Sequence, residues 1–527
     1  MTILMKNITR YILRATCLLL VGSTLLLSCT DSYESINTDK TRIGEITSTE
    51  VPFLFSKALS VAPNNQANYQ IAQNLFADQY AQYFACSTVS FGSDRLVINQ
   101  NWVGAAFNPI YTEVAPQLAK VFELSDPSSA EYALANIWWV YAFHRVTDYW
   151  GPIPYTQILQ DLPSIPYDAQ DKIYDDFFLR LNAALTVLEG KRAERPFGTY
   201  DILYGGDVNL WIKFANTLKL RLAMRVSNII PERAQTLAEE AVAGGVMEAS
   251  PTDDALVKRS LSGGDGNGLA IMQWNEFRMT SSMESVLKGY EDPRMTEYYL
   301  PYKKFFGEGD NDFTLEYDGI RNGMTPPQMT DASGINAPAN NSQQGPRWSP
   351  VIADVGGNPN YLSTPQNVMC AAEAWFLRAE GALKNWNMGG GTGKDYYEQG
   401  ITQSFLQWGF TAAQAQAYYS DGDKEPVAPD DFFDSPPMTT IPVLFGATEA
   451  VQEEQIATQK WIALFPDGVE AWADYRRSHK LKLYPVVNSD NPLITDPSQQ
   501  WLRRIPFLES ERGINAAGVA TGQSLLN

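Results

Sequence analysis

Histidine and cysteine are almost missing from this chain, with two of the first and four of the second among 527 residues. His144 and His479 stand far apart and no H-E-x-x-H occurs, so the helix-borne zinc site of a metallohydrolase is excluded. Cys17 and Cys29 fall in the N-terminal segment, which leaves Cys86 and Cys370 and no disulfide framework. Both lie in helix-like stretches and read as buried thiols, with a single bridge as the alternative. No G-x-S-x-G nucleophile turn is present. Basic residues are in deficit, 40 against 60 acidic ones for a formal charge of −20. Nucleic acid is therefore excluded as a partner, because its binding rests on neutralising phosphates with Lys and Arg. The acidity suits a surface protein kept in solution by its charge.

A long membrane span is missing too. The apolar run from Cys17 to Leu27 is shorter than the roughly 20 residues a bilayer needs. Lys6, Arg10 and Arg14 precede it and Leu26-Leu27-Ser28-Cys29 follows. That order is a cleaved signal peptide over residues 1–28, ending in a lipobox that makes Cys29 the lipidated first residue; an ordinary signal peptide is the alternative. Acyl chains contribute about 0.8 kcal/mol per buried methylene, so the expectation is a protein anchored to a membrane without spanning it. Residues 29–50 are polar and aperiodic, as a tether is.

From residue 51 the pattern is helical. Tyr132, Ala135, Trp139, Ala142 and Val146 recur at steps of three and four, which predicts a helix over 131–147 with one buried stripe. Gly151-Pro152 stops it, since proline lacks the N–H of the ladder. Aromatic amphipathic helices are predicted over 69–86 and 107–124, and further ones over 173–188, 211–226, 231–243, 368–386 and 397–408. Their lengths and short connections predict antiparallel pairs stacked in the tetratricopeptide manner, a mainly α scaffold with a right-handed superhelical course. Stacking along an axis also answers how roughly 500 residues find a core.

Residues 250–366 break the pattern with glycine, proline, asparagine and aromatics. Aromatics argue against disorder, and structureless stretches of this length are usually functional. The expectation is a loop-rich elaboration carried by helices over 51–249 and 367–527 and bearing a ligand surface.

Several blocks resemble one family. Asp148-Tyr149-Trp150-Gly151-Pro152-Ile153-Pro154-Tyr155 is similar to the D-x-x-G-D-I-P-Y signature of SusD-like (SusD/RagB) outer-membrane lipoproteins, with Pro152 in place of Asp. Ile36-Asn37-Thr38-Asp39 resembles the opening I-N-T-D-P-N, and residues 209–225 resemble W-x-K-F-A-N-S-L-K-L-R-L-A-M-R. Toward the end, residues 456–465, then 470–477, then Arg504-Ile505-Pro506-Phe507 with Glu511 and Asn515 resemble the C-terminal blocks, where Phe507-Leu508 replaces Tyr-Pro. The resemblance implies a helical, surface-exposed outer-membrane lipoprotein that captures nutrient oligomers, glycans or peptides. It also implies a partner, a TonB-dependent β-barrel transporter on which the protein sits as a lid.

Sugar rings offer flat C–H faces with a polar edge, so a glycan site needs an aromatic platform and amides or charges at its rim. Trp102, Trp274 and Trp348 lie in polar loop context, with Phe91 and Tyr361, and are the expected platforms. Asn275, Arg321 and Gln343 are the expected rim. Trp138, Trp139, Trp211, Trp375 and Trp408 sit at helical spacing and belong to the core. Arg476 and Arg477 read as structural partners of Glu470 or Asp474. Residues 388–395 lack the first glycine and the hydroxyl of a phosphate loop and read as a helix-to-helix turn. Asp421-Gly422-Asp423 has alternating oxygens without the rest of a calcium loop. No catalytic residue, cofactor or metal is expected. A glycoside hydrolase using one of many carboxylate pairs and a protein-only helical adaptor remain the alternatives.

Overall fold

The Gly151 amide donates to the Thr147 carbonyl at 2.7 Å and the Thr147 hydroxyl donates to the Gly151 carbonyl at 2.6 Å, closing the helix around which the others pack. The computed structural model describes residues 46–261, 264–305, 312–498 and 502–526. The signal segment 1–28, the lipidation site Cys29 and the tether up to residue 45 lie outside the described residues. Residues Pro52–Asn527 form one compact unit. Before it, the Glu50 carboxylate accepts from the Thr47 amide at 2.8 Å and folds residues 47–50 into a turn.

The helices that build the scaffold are, in chain order, α1 (Val51–Val61), α2 (Ala115–Leu124), α3 (Ala130–Trp150), α4 (Gln170–Glu189), α5 (Val208–Val226), α6 (Pro231–Gly244), α7 (Ser281–Gly289), α8 (Ala371–Leu383), α9 (Gly393–Gln407), α10 (Glu449–Leu464) and α11 (Gly468–Ser478), with Ala412–Ser420, Ala516–Ser524 and several shorter helices besides. Successive pairs α3/α4, α5/α6, α8/α9 and α10/α11 pack together, and α10 also lies on α8 and α9. This is the tetratricopeptide-like scaffold of paired helices. No described helix is long and apolar enough to cross a membrane.

Helix α3 departs from the one-stripe expectation, because every residue from Ala133 to Trp150 is buried. A helix enclosed on all sides is what an element apolar all round becomes. It starts where the Ser129 hydroxyl accepts from the Tyr132 amide at 3.1 Å, and it ends at Gly151, whose φ of 77° favours glycine. Trp138, fully buried, donates its indole N–H to the Ala58 carbonyl at 2.9 Å. One such aromatic removes enough apolar surface to contribute about 4–6 kcal/mol before chain entropy is counted. In α8/α9, a Cβ at Gly400 would come within 2.7 Å of the Phe376 ring, so glycine sets how closely the two axes approach.

Residues 69–86 are corrected. A π-helical turn (Gln70–Asn74) and a short helix (Ala77–Tyr80) give way to a strand (Phe84–Cys86), not to one continuous helix. That strand pairs antiparallel with Phe277–Met279, and all three of its residues are buried, so no helical face exists there to distinguish from a strand face. Cys86 is thus in a strand; it and Cys370 are free and buried. Val368 likewise belongs to a strand (Gln366–Met369) paired with Ala255–Val257. The region 250–366 is held by such two-stranded ribbons and by α7, which the sequence pattern did not announce.

Candidate functional site

The Phe84–Cys86 ribbon fixes where the first aromatic loop meets the second. Cys86 lies opposite Phe277, and one step further the Ser87 amide donates to the Glu276 carbonyl at 2.8 Å. Residues 87–96 are thereby held beside the turn that carries Trp274 and Asn275. Phe91 meets Trp102 edge to face at 5.4 Å and stacks over Phe277 at 6.3 Å. Trp102 stands in a short helix (Gln100–Val103) capped by Asn99, whose side-chain oxygen accepts from the Asn101 amide at 3.0 Å. Behind the loop, Arg95 pairs with Asp490 at 2.6 Å and donates to the Phe91 and Met324 carbonyls at 3.2 and 3.0 Å.

Trp274 is 55% exposed, an unusual share for an indole. Asn275 beside it has φ 68°, a left-handed conformation that asparagine tolerates better than most residues. The turn is clamped by the buried Arg278, which donates to the Asn275 side-chain oxygen, to the Phe277 carbonyl at 2.6 Å and to the Pro338 carbonyl at 2.8 Å. Burial without a facing carboxylate pushes the Arg278 guanidinium down to about 10. Residues 338–340 in turn lie against the hairpin Tyr302–Phe305/Phe313–Glu316. On it Phe305 is 53% exposed, its ring is 5.7 Å from that of Phe313, and the Lys303 ammonium sits 4.4 Å over Phe313.

Phe91, Trp102, Trp274 and Asn275 are therefore carried by two segments joined at the Ser87–Glu276 bond, the candidate rim. Two other expected residues are not. Trp348 is only 3% exposed and packs against Trp408 and Phe465 at 5.8 and 6.0 Å. The pocket it borders holds about 20 Å³, room for water and not for a sugar ring. Arg321 is 8% exposed; it donates to the Pro485 carbonyl at 2.8 Å and to Ser435, and lies 4.4 Å over the Tyr484 ring. Gln343 and Tyr361 are half-buried, Gln343 paired with Leu300 two residues before the hairpin strand. Sequence reading missed Arg278, Phe305 and Phe313. The alternation in Phe313-Thr314-Leu315-Glu316 was a strand signal that could have found the hairpin.

The helical scaffold offers one apparent metal cluster among the described residues, His144, Asp148 and Glu470. Its atoms are already taken. The His144 Nδ1 faces the Val140 carbonyl at 3.2 Å, which assigns the proton there and leaves Nε2 to accept from Arg221 at 3.4 Å. Arg225 reaches Glu470 at 2.6 Å and Asp148 at 3.4 Å, and Arg221 binds Glu373 through both ends at 2.6 Å. Burial, and then the neighbouring Arg221, hold the His144 imidazole well below its ordinary range. Two guanidiniums occupy the place a cation would need, so the cluster is an interior ion-pair network. Arg477 pairs with Asp474 and Glu380 at 2.7 and 2.6 Å, whereas Arg476 lies 3.6 Å over Trp472 and donates to carbonyls, without the expected carboxylate.

A family model described as SusD-like, the SusD and RagB outer membrane lipoproteins, matches residues 34–527. Among solved structures, a chitin-binding SusD homologue from Flavobacterium johnsoniae is 33% identical, with a TM-score of 0.78 over 91% of this chain and 96% of that one. A SusD-like protein from Bacteroides thetaiotaomicron is 30% identical, with a TM-score of 0.76 over 90% and 95%. A SusD homologue from Bacteroides vulgatus is 28% identical, with a TM-score of 0.78 over 91% and 95%. No curated protein matches the chain.

Proposed function

As the chain belongs to the SusD-like family of outer membrane lipoproteins, we propose that it is a surface glycan-binding protein, without catalysis, that delivers its ligand to a TonB-dependent β-barrel transporter. The observation that carries the reading is the Trp274–Asn275 turn, an indole held open to solvent with an amide at its edge and Phe91 and Trp102 on the adjoining loop. An aromatic face flanked by side-chain amides is the chemistry a sugar ring asks for. The likeness to a chitin-binding homologue makes β-linked N-acetylhexosamine oligomers the first ligands to try. In this reading a lipid anchor at Cys29 and the tether of residues 29–50 hold the protein at the outer membrane, and the paired helices serve as the rim's rigid support.

Calorimetry of the purified protein against a panel of oligosaccharides, chito-oligosaccharides first, tests the proposal. Binding that weakens about tenfold or more in Trp274→Ala is expected, as for a contact residue at a hot spot. No binding across glycans and peptides, with protein partners still retained from membranes, would leave only the adaptor reading. Cleaved products after long incubation would instead establish a hydrolase.

A further inference from the structure

Glu276 stands where the two rim segments join. Its carbonyl accepts from the Ser87 amide at 2.8 Å, and Trp274 and Asn275 precede it in the chain. The side chain is half-buried; its carboxylate accepts from the amide nitrogen of Gln70, on the π-helical turn Gln70–Asn74, and the second oxygen has no partner among the described residues. Burial raises the carboxyl above its ordinary range, and the Gln70 bond pulls it back in part, with no cation contributing. A partly buried acid is usually paired with Lys or Arg, so here a neutral amide steadies the group and leaves its charge uncancelled. Residues 87–102 and 274–279 carry four charged side chains, Asp94, Arg95, Glu276 and Arg278. All but Glu276 are buried. Arg95 is paired with Asp490 at 2.6 Å, and Arg278 is held by Asn275, Phe277 and Pro338. Glu276 alone among them is open in part to solvent, and the field a ligand meets at this turn is therefore negative. The Cys86 thiol registers the same field, pushed up by burial and then by the charges of Asp94 and Glu276.

We infer that Glu276 is a specificity-determining residue of the rim: its carboxylate accepts hydrogen bonds from the hydroxyl or amide donors of an uncharged sugar ring and turns away rings that carry a carboxylate or sulfate. The inference rests on the glycan reading above and deepens it by naming the class refused, acidic glycans. An ionised carboxylate accepts without donating, so hydroxyls satisfy it and a ligand anion leaves it opposed. Setting like charge against a competitor is a way for a site to discriminate without new contacts to its proper ligand. The chain's formal charge of −20 also repels anions from a distance, so the local effect must be separated from the overall one.

The test is calorimetry of the purified protein with two matched pairs of hexasaccharides, the N-acetylglucosamine hexamer against a hyaluronan hexasaccharide and a β-linked mannose hexamer against a β-linked mannuronic acid hexamer. A neutral hexamer is expected to bind about tenfold or more tightly than its acidic counterpart in about 0.02 M salt, and the gap to shrink in about 0.5 M salt, where screening reaches only a few ångström. Glu276→Gln keeps the size of the side chain and an oxygen for Gln70, and should narrow the low-salt gap to about threefold or less by strengthening the acidic ligand. Glu232→Gln removes an exposed acid from the first turn of α6 and should leave the gap as it is, which separates the site from the overall charge. An acidic hexamer that binds as tightly as its neutral partner overturns the inference. So does a gap that persists in Glu276→Gln, or a variant that melts lower and loses both ligands alike, since the carboxylate would then be only a tether to Gln70. Absence of binding by all four hexamers overturns it together with the glycan reading. The rim reading fails separately, if hexamers bind and Trp274→Ala changes none of their affinities.

Discussion

Arg278 donates from its guanidinium to the side-chain oxygen of Asn275, and so the residue that fixes the rim turn is buried three residues further along the chain. The exposed indole of Trp274 is thereby held by an interior residue that touches no ligand. Arg278→Lys keeps the charge but cannot serve Asn275, Phe277 and Pro338 together, because only a planar fork presents donors in three directions. The expected outcome in calorimetry is a several-fold loss of glycan affinity. Asn275→Gly keeps the backbone, since glycine accepts a φ of 68°, but takes the acceptor from the buried Arg278, so a loss of about 1–3 kcal/mol in stability is expected together with the loss of the rim amide.

Trp274→Ala and Trp348→Ala should split cleanly. The first removes an exposed ring and should cost about 1 kcal/mol or more of binding with little change in melting temperature. The second empties a site packed against Trp408 and Phe465, and should destabilise by about 3–5 kcal/mol in denaturant unfolding. If Trp348→Ala instead lost binding at unchanged stability, the placement of the site at the Trp274 rim would be wrong.

Helical periodicity made most of the scaffold legible. The 3.6-residue stripes over 173–188 and 211–226 correspond to α4 and α5 with only their ends extended. The pattern failed where burial has no sidedness: Phe84-Ala85-Cys86 is apolar and enclosed, and a three-residue strand and a helical turn look alike in such a run. Among the loop tryptophans, context was equally polar for Trp274 and Trp348, yet one faces solvent and the other lies under Trp408. Which loop residue turns inward depends on long-range pairing, here Tyr299–Leu300 with Gln343–Gln344, and that is not written in local sequence. Arg278 was invisible for the same reason, since its clamp joins its neighbours Asn275 and Phe277 to the distant Pro338 carbonyl.

The interior ion pairs make a sharp stability prediction. Arg221 is 1% exposed at its side chain and is held by Glu373 through two bonds at 2.6 Å. Glu373→Ala leaves a buried guanidinium with Glu470 at 3.5 Å as its remaining carboxylate, and Arg225 already holds that acid at 2.6 Å. A loss of about 3–5 kcal/mol in urea unfolding is expected. Arg221→Met with Glu373→Leu, which removes both charges and fills the volume, should recover most of it; failure to recover would mean the pair specifies more than local packing.

Asp318 gives the protein a pH dependence opposite to that of ordinary salt-bridged acids. Burial, and then the charge of Glu284 beside it, push its carboxyl from the usual 3.8 up to about 9. Glu284 is itself fully buried, accepting from Lys288 at 2.6 Å and from the Gly319 amide at 2.9 Å. A carboxyl whose folded value lies above its unfolded value holds its proton more tightly when folded. Its stabilising contribution is complete below about 4 and is lost as the pH rises toward 9. Asp318→Asn cannot ionise, and its amide can donate to Glu284 while its oxygen still accepts from Gly319, as Asp318 does at 3.1 Å. The variant should therefore melt higher than the parent at pH 8, by about 1–3 °C for each kcal/mol relieved in a chain of this size, and the difference should shrink toward pH 5. A parent melting curve that is flat between pH 5 and 9, with no gain in the variant at pH 8, would show that Asp318 is ionised in the folded protein.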